Sequence, residues 1–539
     1  MPSVQYTVKE MLNTNQAAGI LGVSPKTIYR MEEKGLIRSI RTPGGQRRFA
    51  KSTLEEYLNK SQGFIAPQNP SKYKNNFIVR EGDNTTALFK DTEIITDYQP
   101  RQRVNRLEQI ISLGTSANHQ RHYEQSVDPK RWVEEWDFKF YKTKIYTHGF
   151  HNYPAMFIPQ VARKLIMAFS NEGDMVGDIF CGSGTTMVES SLLNRNSIGI
   201  ELNPLAVLIA RVKTTPIDPK TLTTKLKAII NDYQHIKNIE PPQLYNIEFW
   251  FSKPVIKDLT RLRQAIRNIS EENIRNFFAV CFSEVVRIVS YTRHGEFKLF
   301  RSPDKMTDKF KPDIMAEFIK MCENNIIGMK EYIHDVLPNN NTRIIQGDAT
   351  KDNGIPHNSV DFIITSPPYG DSRTTVAYGQ FSRLSSQWLD LLPPNIKDID
   401  KELMGGNNNV DLNDPILELS DTLKFSIKTI TEKDKDRAKD VLSFYIDLNK
   451  ALIQAHKILK PQKYFCLIVG NRTVKELVLK TDAIICELGE KIGFTSQGLL
   501  YRNIPNKRMP ARNSPTNEAG KTGSTMTRES IILLRKSIS

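Results

Sequence analysis

The sequence predicts an α/β protein with a Rossmann-like sheet, and two observations support that fold class. Short apolar runs rich in β-branched residues alternate with stretches of helical spacing across residues 141–204 and 341–539. Four of these runs end at a glycine-rich, acidic or hydroxyl-bearing turn, and open α/β sheets bind ligands at the carboxyl ends of their strands. With 539 residues the chain exceeds one compact core, so we expect two or three folding units.

The first of these strand ends is a glycine-rich turn. Residues 174–186 read Asp-Met-Val-Gly-Asp-Ile-Phe-Cys-Gly-Ser-Gly-Thr-Thr, which predicts a short strand, a turn and a helix from about Thr186 to Leu193. Gly182 and Gly184 let the backbone pass close to a ligand, and the helix N-terminus favours polar or anionic groups. Taken alone, such a turn is weak evidence for a binding site.

Two further strands are predicted to end in carboxylates, at Glu201 and at Asp348. An acid after the second strand commonly accepts hydrogen bonds from ribose hydroxyls in Rossmann-like sites. The fourth strand, predicted over residues 360–364, leads into Thr-Ser-Pro-Pro-Tyr-Gly at 365–370. Each proline has a fixed φ and no N–H, so this loop is a stiff acceptor surface beside an aromatic ring. Such a surface suits the amino group of a planar base.

In this order the four strand ends resemble the amino-methyltransferases of DNA, and specifically their cytosine-N4 branch, over roughly residues 140–210 and 340–535. The resemblance implies a seven-stranded sheet, S-adenosyl-L-methionine as methyl donor and double-stranded DNA as substrate. Residues 147–159 resemble the family's additional cofactor-binding segment. The side chains or glycines that the resemblance assigns to the cofactor are Phe150, Tyr153, Pro154, Asp178, Phe180, Gly182, Gly184, Thr185, Glu201 and Asp348.

The resemblance assigns the target base to Ser366, Pro367, Pro368 and Tyr369. The exocyclic amine of cytosine is a poor nucleophile because its lone pair is delocalised into the ring. Acceptors at the Ser366 side chain and the Pro367 carbonyl would favour a localised lone pair, while Tyr369 would stack on the base. Positioning then supplies much of the rate, no metal is expected, and a base inside a duplex must be flipped out.

Three alternatives stay open. An adenine-N6 DNA methyltransferase shares the fold, although Ser366 replaces the Asp or Asn usual there. An RNA guanine-N2 or adenine methyltransferase shares the Pro-Pro-Tyr-Gly sequence. A non-catalytic regulator that only binds DNA would explain the N-terminus but leave the motifs unexplained. Cytosine-C5 chemistry is disfavoured because it needs a cysteine after a proline, and none of the five cysteines follows one.

Residues 1–60 are predicted to form a small DNA-binding domain. The stretch 13–34 has helix-turn-helix spacing, and residues 36–49 predict a two-stranded wing, so the domain resembles the winged helix of MerR regulators and excisionases. A helical protein–protein module is the alternative. The residues expected to contact DNA are Lys26, Thr27 and Arg30 in the groove, and Arg41, Arg47 and Arg48 at phosphates.

Residues 61–76 predict a linker, and residues 77–140 are an unassigned connecting region.

Residues 205–340 interrupt the methyltransferase pattern and predict a helical insertion. Basic and aromatic side chains interleave in it between Arg287 and Lys309, which is expected of a target recognition region; a helical cap over the sheet is the alternative. Arg293 and Arg301 there, and Lys507 and Arg508 in a later basic loop, are expected to contact DNA. The polar stretch 370–414 is expected to be mobile.

Charge and composition fit this assignment. The chain carries 75 Lys and Arg against 60 Asp and Glu, a net charge of +15, which suits a polyanionic partner. It has no bilayer-length apolar run, no recognisable signal peptide and no CxxC pair, so we expect a reduced, cytoplasmic, DNA-associated prokaryotic protein without a membrane partner. No nuclease motif is recognised, so a restriction endonuclease partner, if one exists, is a separate chain. The sequence does not predict the oligomeric state.

Overall fold

The structure is a computed structural model. It describes residues 141–293, 298–338, 340–371, 375–391, 401–504 and 528–538, and isolated positions at 11–12, 14, 17, 28, 32, 37, 39–41, 47–50, 136, 138, 512–513 and 523–524. The chain divides into two compact units, residues 1–75 and 76–539. The predicted linker at 61–76, and residues 77–140 apart from positions 136 and 138, lie outside the described residues.

The first unit contains a three-stranded antiparallel sheet. Strands β1 (Met11–Leu12) and β2 (Ile40–Arg41) flank β3 (Arg47–Ala50). The β2–β3 hairpin is the predicted wing, with Ile40 paired to Arg48. Ala17 and Ile28 are helical and fully buried, as expected of a small helical core beside the wing. Lys26, Thr27, Arg30 and the side chain of Arg41 lie outside the described residues.

The second unit is built on a seven-stranded mixed sheet. Its strands are β4 (Met175–Asp178), β5 (Asn196–Glu201), β6 (Thr342–Gln346), β7 (Val360–Thr365), β8 (Leu459–Val469), β11 (Phe494–Asn503) and β14 (Arg528–Lys536). The order is β11-β14-β8-β7-β4-β5-β6. The first five strands in chain order pair in parallel, and β14 lies antiparallel to both β8 and β11. The predicted seven-stranded α/β sheet is therefore confirmed, and its strand order reverses between β4 and β7, where ligands bind in such sheets.

Four short strands form hairpins outside this sheet: β9 (Thr473–Val474), β10 (Leu477–Val478), β12 (Arg512–Asn513) and β13 (Gly523–Ser524). Helices cover both faces of the main sheet, namely α1 (Pro159–Phe169), α2 (Thr185–Leu192), α3 (Pro204–Thr214), α10 (Asp421–Lys433), α11 (Lys435–Ile458) and α12 (Thr481–Ile492). Every residue of β7 is buried. Phe362 and Ile364 pack with α1, whereas Ile363 packs with α11 and α12, as the alternation of side chains along a strand requires.

Residues 205–340 are mainly helical. They contribute α4 (Pro219–His235), α5 (Ile247–Trp250), α6 (Lys253–Arg267), α7 (Glu272–Val289) and α8 (Ile314–Asp335) to one apolar cluster. Among the described residues, three short 3-10 helices span Tyr146–Gly149, Pro303–Met306 and Pro415–Glu418. In the part of the chain that the structure describes, no helix is both long and apolar enough to cross a membrane.

The expectation of a mobile stretch over residues 370–414 is wrong for much of its described part. Helix α9 (Tyr378–Trp388) lies within it and packs into the cluster of the helical insertion. Trp388 is fully buried against Phe251 and Phe282. Two buried serines of α9 are accommodated by hydrogen bonds: the Ser385 hydroxyl donates to the Ser283 carbonyl at 2.7 Å, and Ser382 accepts from the Asn203 side chain at 2.7 Å.

Candidate active site

A cavity of about 340 Å³ lies at the carboxyl ends of β4, β5, β6 and β7. It brings all four predicted strand ends together. Eight of the residues that the sequence assigns to a cofactor line it: Tyr153, Pro154, Asp178, Phe180, Gly182, Thr185, Glu201 and Asp348. Ser366 and Pro368, from the loop after β7, line the same cavity.

The remaining two residues of the cofactor set lie elsewhere. Phe150 is buried in the helical cluster, with its ring edge-on to Phe277 at 5.7 Å. Gly184 caps α2 with a φ of 84°, and a Cβ at Gly184 would lie 2.8 Å from the Cβ of Ala210. Gly184 therefore allows the close packing of α2 on α3. Gly182 differs: its φ is 51°, but a Cβ at this position would have no atom within 4 Å, so Gly182 faces open space.

Glu201 holds the glycine-rich turn from the end of β5. One carboxylate oxygen accepts from the Gly182 N–H at 3.0 Å and the other from the Asn203 N–H at 2.7 Å. Burial raises the pKa of Glu201 to about 7. A carboxylate with two backbone donors still has lone pairs to offer to a ligand hydroxyl in the cavity.

Asp178 connects the glycine-rich turn to the loop that carries Ser366. It accepts hydrogen bonds from the hydroxyls of Thr186 and Thr365, both at 2.6 Å, and from the Phe180 N–H at 3.1 Å. Burial raises the pKa of Asp178 to about 6. Thr365 directly precedes Ser366, so one carboxylate positions both sides of the cavity.

Asp348 is the more exposed acid, at the end of β6. Burial alone would raise the pKa of Asp348, but hydrogen bonds from Thr350 and the nearby Lys351 ammonium lower it below its ordinary value. The Thr350 hydroxyl donates at 2.7 Å and the Lys351 ammonium lies 3.0 Å away. This acid therefore presents a negative charge to the cavity at neutral pH.

The loop after β7 holds Ser366 with its lone pairs available. The Ser366 hydroxyl lies 3.1 Å from the Ile468 carbonyl and 3.5 Å from the Tyr369 hydroxyl, and it can donate its one hydrogen to either. Its hydrogen is therefore occupied within the protein while its oxygen can still accept. Tyr369 does not line the cavity; its hydroxyl donates to Glu529 at 2.8 Å. Pro367 is buried and also lies outside the lining.

The sequence did not predict Asn203, which supports the wall residue Tyr153, or Tyr378, which lines the cavity. The Asn203 side chain donates to the Tyr153 hydroxyl at 3.1 Å and to Ser382 at 2.7 Å, and its oxygen caps α3. Tyr378 stacks on Tyr153 with ring centroids 6.0 Å apart. Asn203-Pro204 is a helix-start signal two residues after the acid, which could have indicated Asn203.

Further wall residues come from the segment after α9 and from α11, and no sequence motif predicts them. They are Lys401, Glu402, Leu403, Met404, Asn407, Asp447 and Lys450. Within the described residues, no cluster of His, Cys, Asp and Glu side chains could hold a metal ion. The five cysteines are free thiols.

The basic residues of the helical insertion have different roles. Arg287 is buried, lies 3.8 Å over the Phe381 ring and donates to its carbonyl. Lys305 is also buried and donates to two carbonyls at the end of α7. These two cations are structural and not part of an exposed basic surface, contrary to the interpretation of the sequence.

The predicted DNA-contacting residues are described only in part. Arg293 is exposed, and the Arg301 guanidinium lies 4.0 Å over the exposed Phe249 ring. In the first unit, the Arg47 Nε lies 2.7 Å from Glu32, while Arg48 is half-buried. Lys507 and Arg508 lie outside the described residues.

A mostly parallel sheet with a glycine-rich turn and three acids around a cavity at its switch point is typical of Rossmann-like α/β enzymes. Comparison with known proteins makes the class specific. A DNA methylase family matches residues 44–211, and a helix-turn-helix domain family matches residues 11–62. The Type II methyltransferase M.MvaI of Kocuria varians is 38% identical over 425 residues, which cover 74% of this chain and 92% of that protein. The chain therefore belongs to the Type II DNA methyltransferases, and it carries a helix-turn-helix domain at its N-terminus.

Two other similarities are more limited. The Type II methyltransferase M.BsoBI of Geobacillus stearothermophilus is 24% identical over 257 residues, covering 41% of this chain and 49% of that protein. Among solved structures, a SAM-dependent methyltransferase from Methanosarcina mazei matches 70% of this chain and 98% of its own, at 9% identity and a TM-score of 0.25.

Proposed function

We propose that this DNA methyltransferase transfers a methyl group from S-adenosyl-L-methionine to the exocyclic N4 of a cytosine flipped out of double-stranded DNA. The observation that carries the proposal is the state of Ser366. Its hydroxyl hydrogen is engaged within the protein, with the Ile468 carbonyl 3.1 Å away, so the oxygen of this cavity-lining residue keeps lone pairs that can accept a hydrogen bond. An acceptor is what a target amine requires, because the amine has hydrogens to donate.

The cavity residues fit the cofactor. Glu201 has lone pairs left for ribose hydroxyls after its two backbone hydrogen bonds, and Gly182 leaves open space where any other residue would project a Cβ. Tyr153, Pro154 and Phe180 provide apolar walls for a purine ring. When bound, S-adenosyl-L-methionine supplies an electrophilic sulfonium methyl. Asp178 fixes Phe180 and Thr365 together, so it sets the spacing between the cofactor turn and Ser366.

The chemistry assigned to the chain is positioning and hydrogen bonding. We assign Ser366 and the Pro367 carbonyl to the amine hydrogens, Pro368 to the stiffness of the loop, and Tyr369 to stacking on the base. Hydrogen bonds to the amine localise its lone pair and direct it at the methyl group. Base stacking on an aromatic ring contributes about 1–3 kcal/mol and compensates part of the cost of flipping.

DNA contact is assigned to three regions. The helix-turn-helix domain at residues 1–60 would bind the duplex with Lys26, Thr27, Arg30, Arg41, Arg47 and Arg48. Residues 205–340 would recognise the target through Arg293 and Arg301, beside the exposed rings of Phe249 and Phe300. Lys507 and Arg508 would approach the duplex near the flipped base. The net charge of +15 supports a polyanionic substrate.

The product decides between cytosine-N4 and adenine-N6 transfer, since the DNA methylase family is compatible with both. Methylation-aware sequencing of DNA from cells expressing the chain gives the target site, and mass spectrometry of digested DNA identifies the base. We expect N4-methylcytosine. N6-methyladenine as the sole product would contradict the assignment of the base.

Substitution of Ser366 tests the site itself. Ser366→Ala removes the acceptor, so we expect methyl transfer to fall by about 10²-fold or more, while fold and cofactor binding stay near normal. Transfer is measured with labelled cofactor, and calorimetry provides the binding control. Full activity of the Ser366→Ala protein would place the active site elsewhere.

A further inference from the structure

Tyr369 is held by an acid from a distant strand. Its hydroxyl donates to a carboxylate oxygen of Glu529 at 2.8 Å, and the two residues are 160 positions apart in the chain. Tyr369 belongs to the loop after β7, whereas Glu529 belongs to β14. This hydrogen bond therefore ties the proposed base-binding loop to the antiparallel edge of the sheet.

Glu529 is itself fixed by Arg502. The two residues are directly opposite each other on β14 and β11, and the Arg502 guanidinium donates to the other Glu529 oxygen. Their side chains are only 4% and 14% exposed for Arg502 and Glu529 respectively. Arg502 also donates to the Trp136 carbonyl at 3.0 Å. Glu529 and Arg502, the anchor pair, thus present one carboxylate oxygen in a fixed place.

A buried ion pair contributes little net stability compared with a well-packed apolar pair, so stability alone does not account for it. What an ion pair does provide is a fixed, directional acceptor. The phenol oxygen lies on the long axis of the ring, so a hydrogen bond there fixes the direction of the ring without itself covering either face. Burial and the Glu529 carboxylate also raise the pKa of Tyr369 well above its ordinary value, so the phenol remains a donor.

We infer that Glu529 and Arg502 are positioning residues that hold the Tyr369 ring ready to stack on the flipped base. This inference rests on the proposed function, in which Tyr369 contacts the base. A ring ordered in advance loses less conformational freedom when the base arrives. The anchor pair therefore favours capture of the flipped base and acts through the phenol hydroxyl.

The test is a double-mutant cycle. The proteins are wild type, Tyr369→Phe, Glu529→Gln and the double variant, with Glu418→Gln, which alters an exposed ion pair with Lys424, as control. Base capture is read from the fluorescence of a duplex that carries pyrrolocytosine at the target position identified by sequencing. The KM for unmodified duplex and kcat are measured in parallel. Tyr369→Phe leaves the anchor pair intact, so it tests the hydroxyl without unpairing a buried charge.

We expect Tyr369→Phe and Glu529→Gln each to reduce base capture by about three- to tenfold, the range for the loss of one typical protein hydrogen bond. The loss should appear mainly in KM. Base capture by the double variant should be no weaker than capture by the more impaired single variant, because both changes break the same contact. The Glu418→Gln protein should match wild type.

Independent, multiplying effects in the double variant would overturn the inference. So would a Glu529→Gln protein that melts at a lower temperature but captures the base normally, since its role would then be structural. Tyr369→Ala separates this inference from the proposed function. If Tyr369→Ala weakens capture and Glu529→Gln does not, only the positioning role fails; if Tyr369→Ala has no effect, the stacking role fails and the inference with it.

Discussion

At the scale of single residues, the site depends on acids that are already engaged within the protein. Glu201 and Asp178 each accept from more than one donor, and neither is a free side chain waiting for a ligand. Such hydrogen bonds fix the carboxylates before a ligand arrives, so little ordering remains to be done on binding. The same arrangement buries both carboxylates, and this burial raises the pKa of both acids.

Replacement of Glu201 tests its predicted contact with the cofactor. Glu201→Ala would leave a ribose hydroxyl and the Gly182 N–H without an acceptor, so we expect binding of S-adenosyl-L-methionine to weaken by about 1–3 kcal/mol. Calorimetry measures this change, with Glu418→Gln as an exposed control. Unchanged affinity would remove Glu201 from the ribose site.

The pKa of Glu201 predicts how stability depends on pH. Burial raises this pKa from 4.5 to about 7 in the folded protein. Between these values the folded state binds more protons than the unfolded state, so the free energy of unfolding falls as pH rises through this window. Asp178 acts in the same direction between 3.8 and about 6.

Glu201→Gln removes the part of this dependence that belongs to Glu201. In urea denaturation of the cofactor-free protein, we expect the stability lost between about pH 4.5 and pH 7 to be smaller for Glu201→Gln than for wild type. An equal loss in both proteins would show that Glu201 keeps an ordinary pKa.

At the scale of elements, strands were predictable where apolar residues are local and continuous, as in β7. Element boundaries are less predictable where the local signal is weak. The sequence alone predicts a helix over Phe444–Leu459 and a strand from Tyr464, whereas α11 begins at Lys435 and β8 begins at Leu459. Helix α9 was missed because its sequence is polar, and two of its buried serines, Ser382 and Ser385, find their hydrogen-bond partners far away in the chain. The cavity wall on α11 was missed for the same reason, since only the fold brings it to the strand ends.

The two glycines of the turn predict different costs. Ala at Gly184 would need a left-handed backbone and would also overlap Ala210, so we expect Gly184→Ala to destabilise the protein by about 2–4 kcal/mol. Gly182→Ala would also need a left-handed backbone, but its Cβ would meet no neighbouring atom, so we expect it to destabilise the protein by only about 1–2 kcal/mol. Chemical denaturation of both variants measures the difference. Equal costs would mean that α2 and α3 separate easily at Ala210.

At the scale of the whole molecule, we propose that the helix-turn-helix domain contributes to duplex binding from a different unit of the chain than the one that carries the cavity. Every residue that lines the cavity belongs to the unit at 76–539, whereas the helix-turn-helix match covers residues 11–62. The excess positive charge is a property of the full chain and favours DNA over neutral partners. Affinity for the duplex and affinity for the cofactor should therefore be separable by truncation.

Deletion of residues 1–60 tests this separation. Arginine contacts to phosphates release counterions, so losing them should weaken DNA binding and make its dependence on salt less steep. Cofactor affinity should stay unchanged, because the cavity residues are all retained. Binding isotherms of the full and shortened chains on one duplex, at several salt concentrations, give both slopes, and calorimetry gives the cofactor control. If DNA affinity depended on salt equally steeply in both proteins, the N-terminal domain would have a role other than binding phosphates. The helical insertion and the C-terminal loop would then have to supply the phosphate contacts.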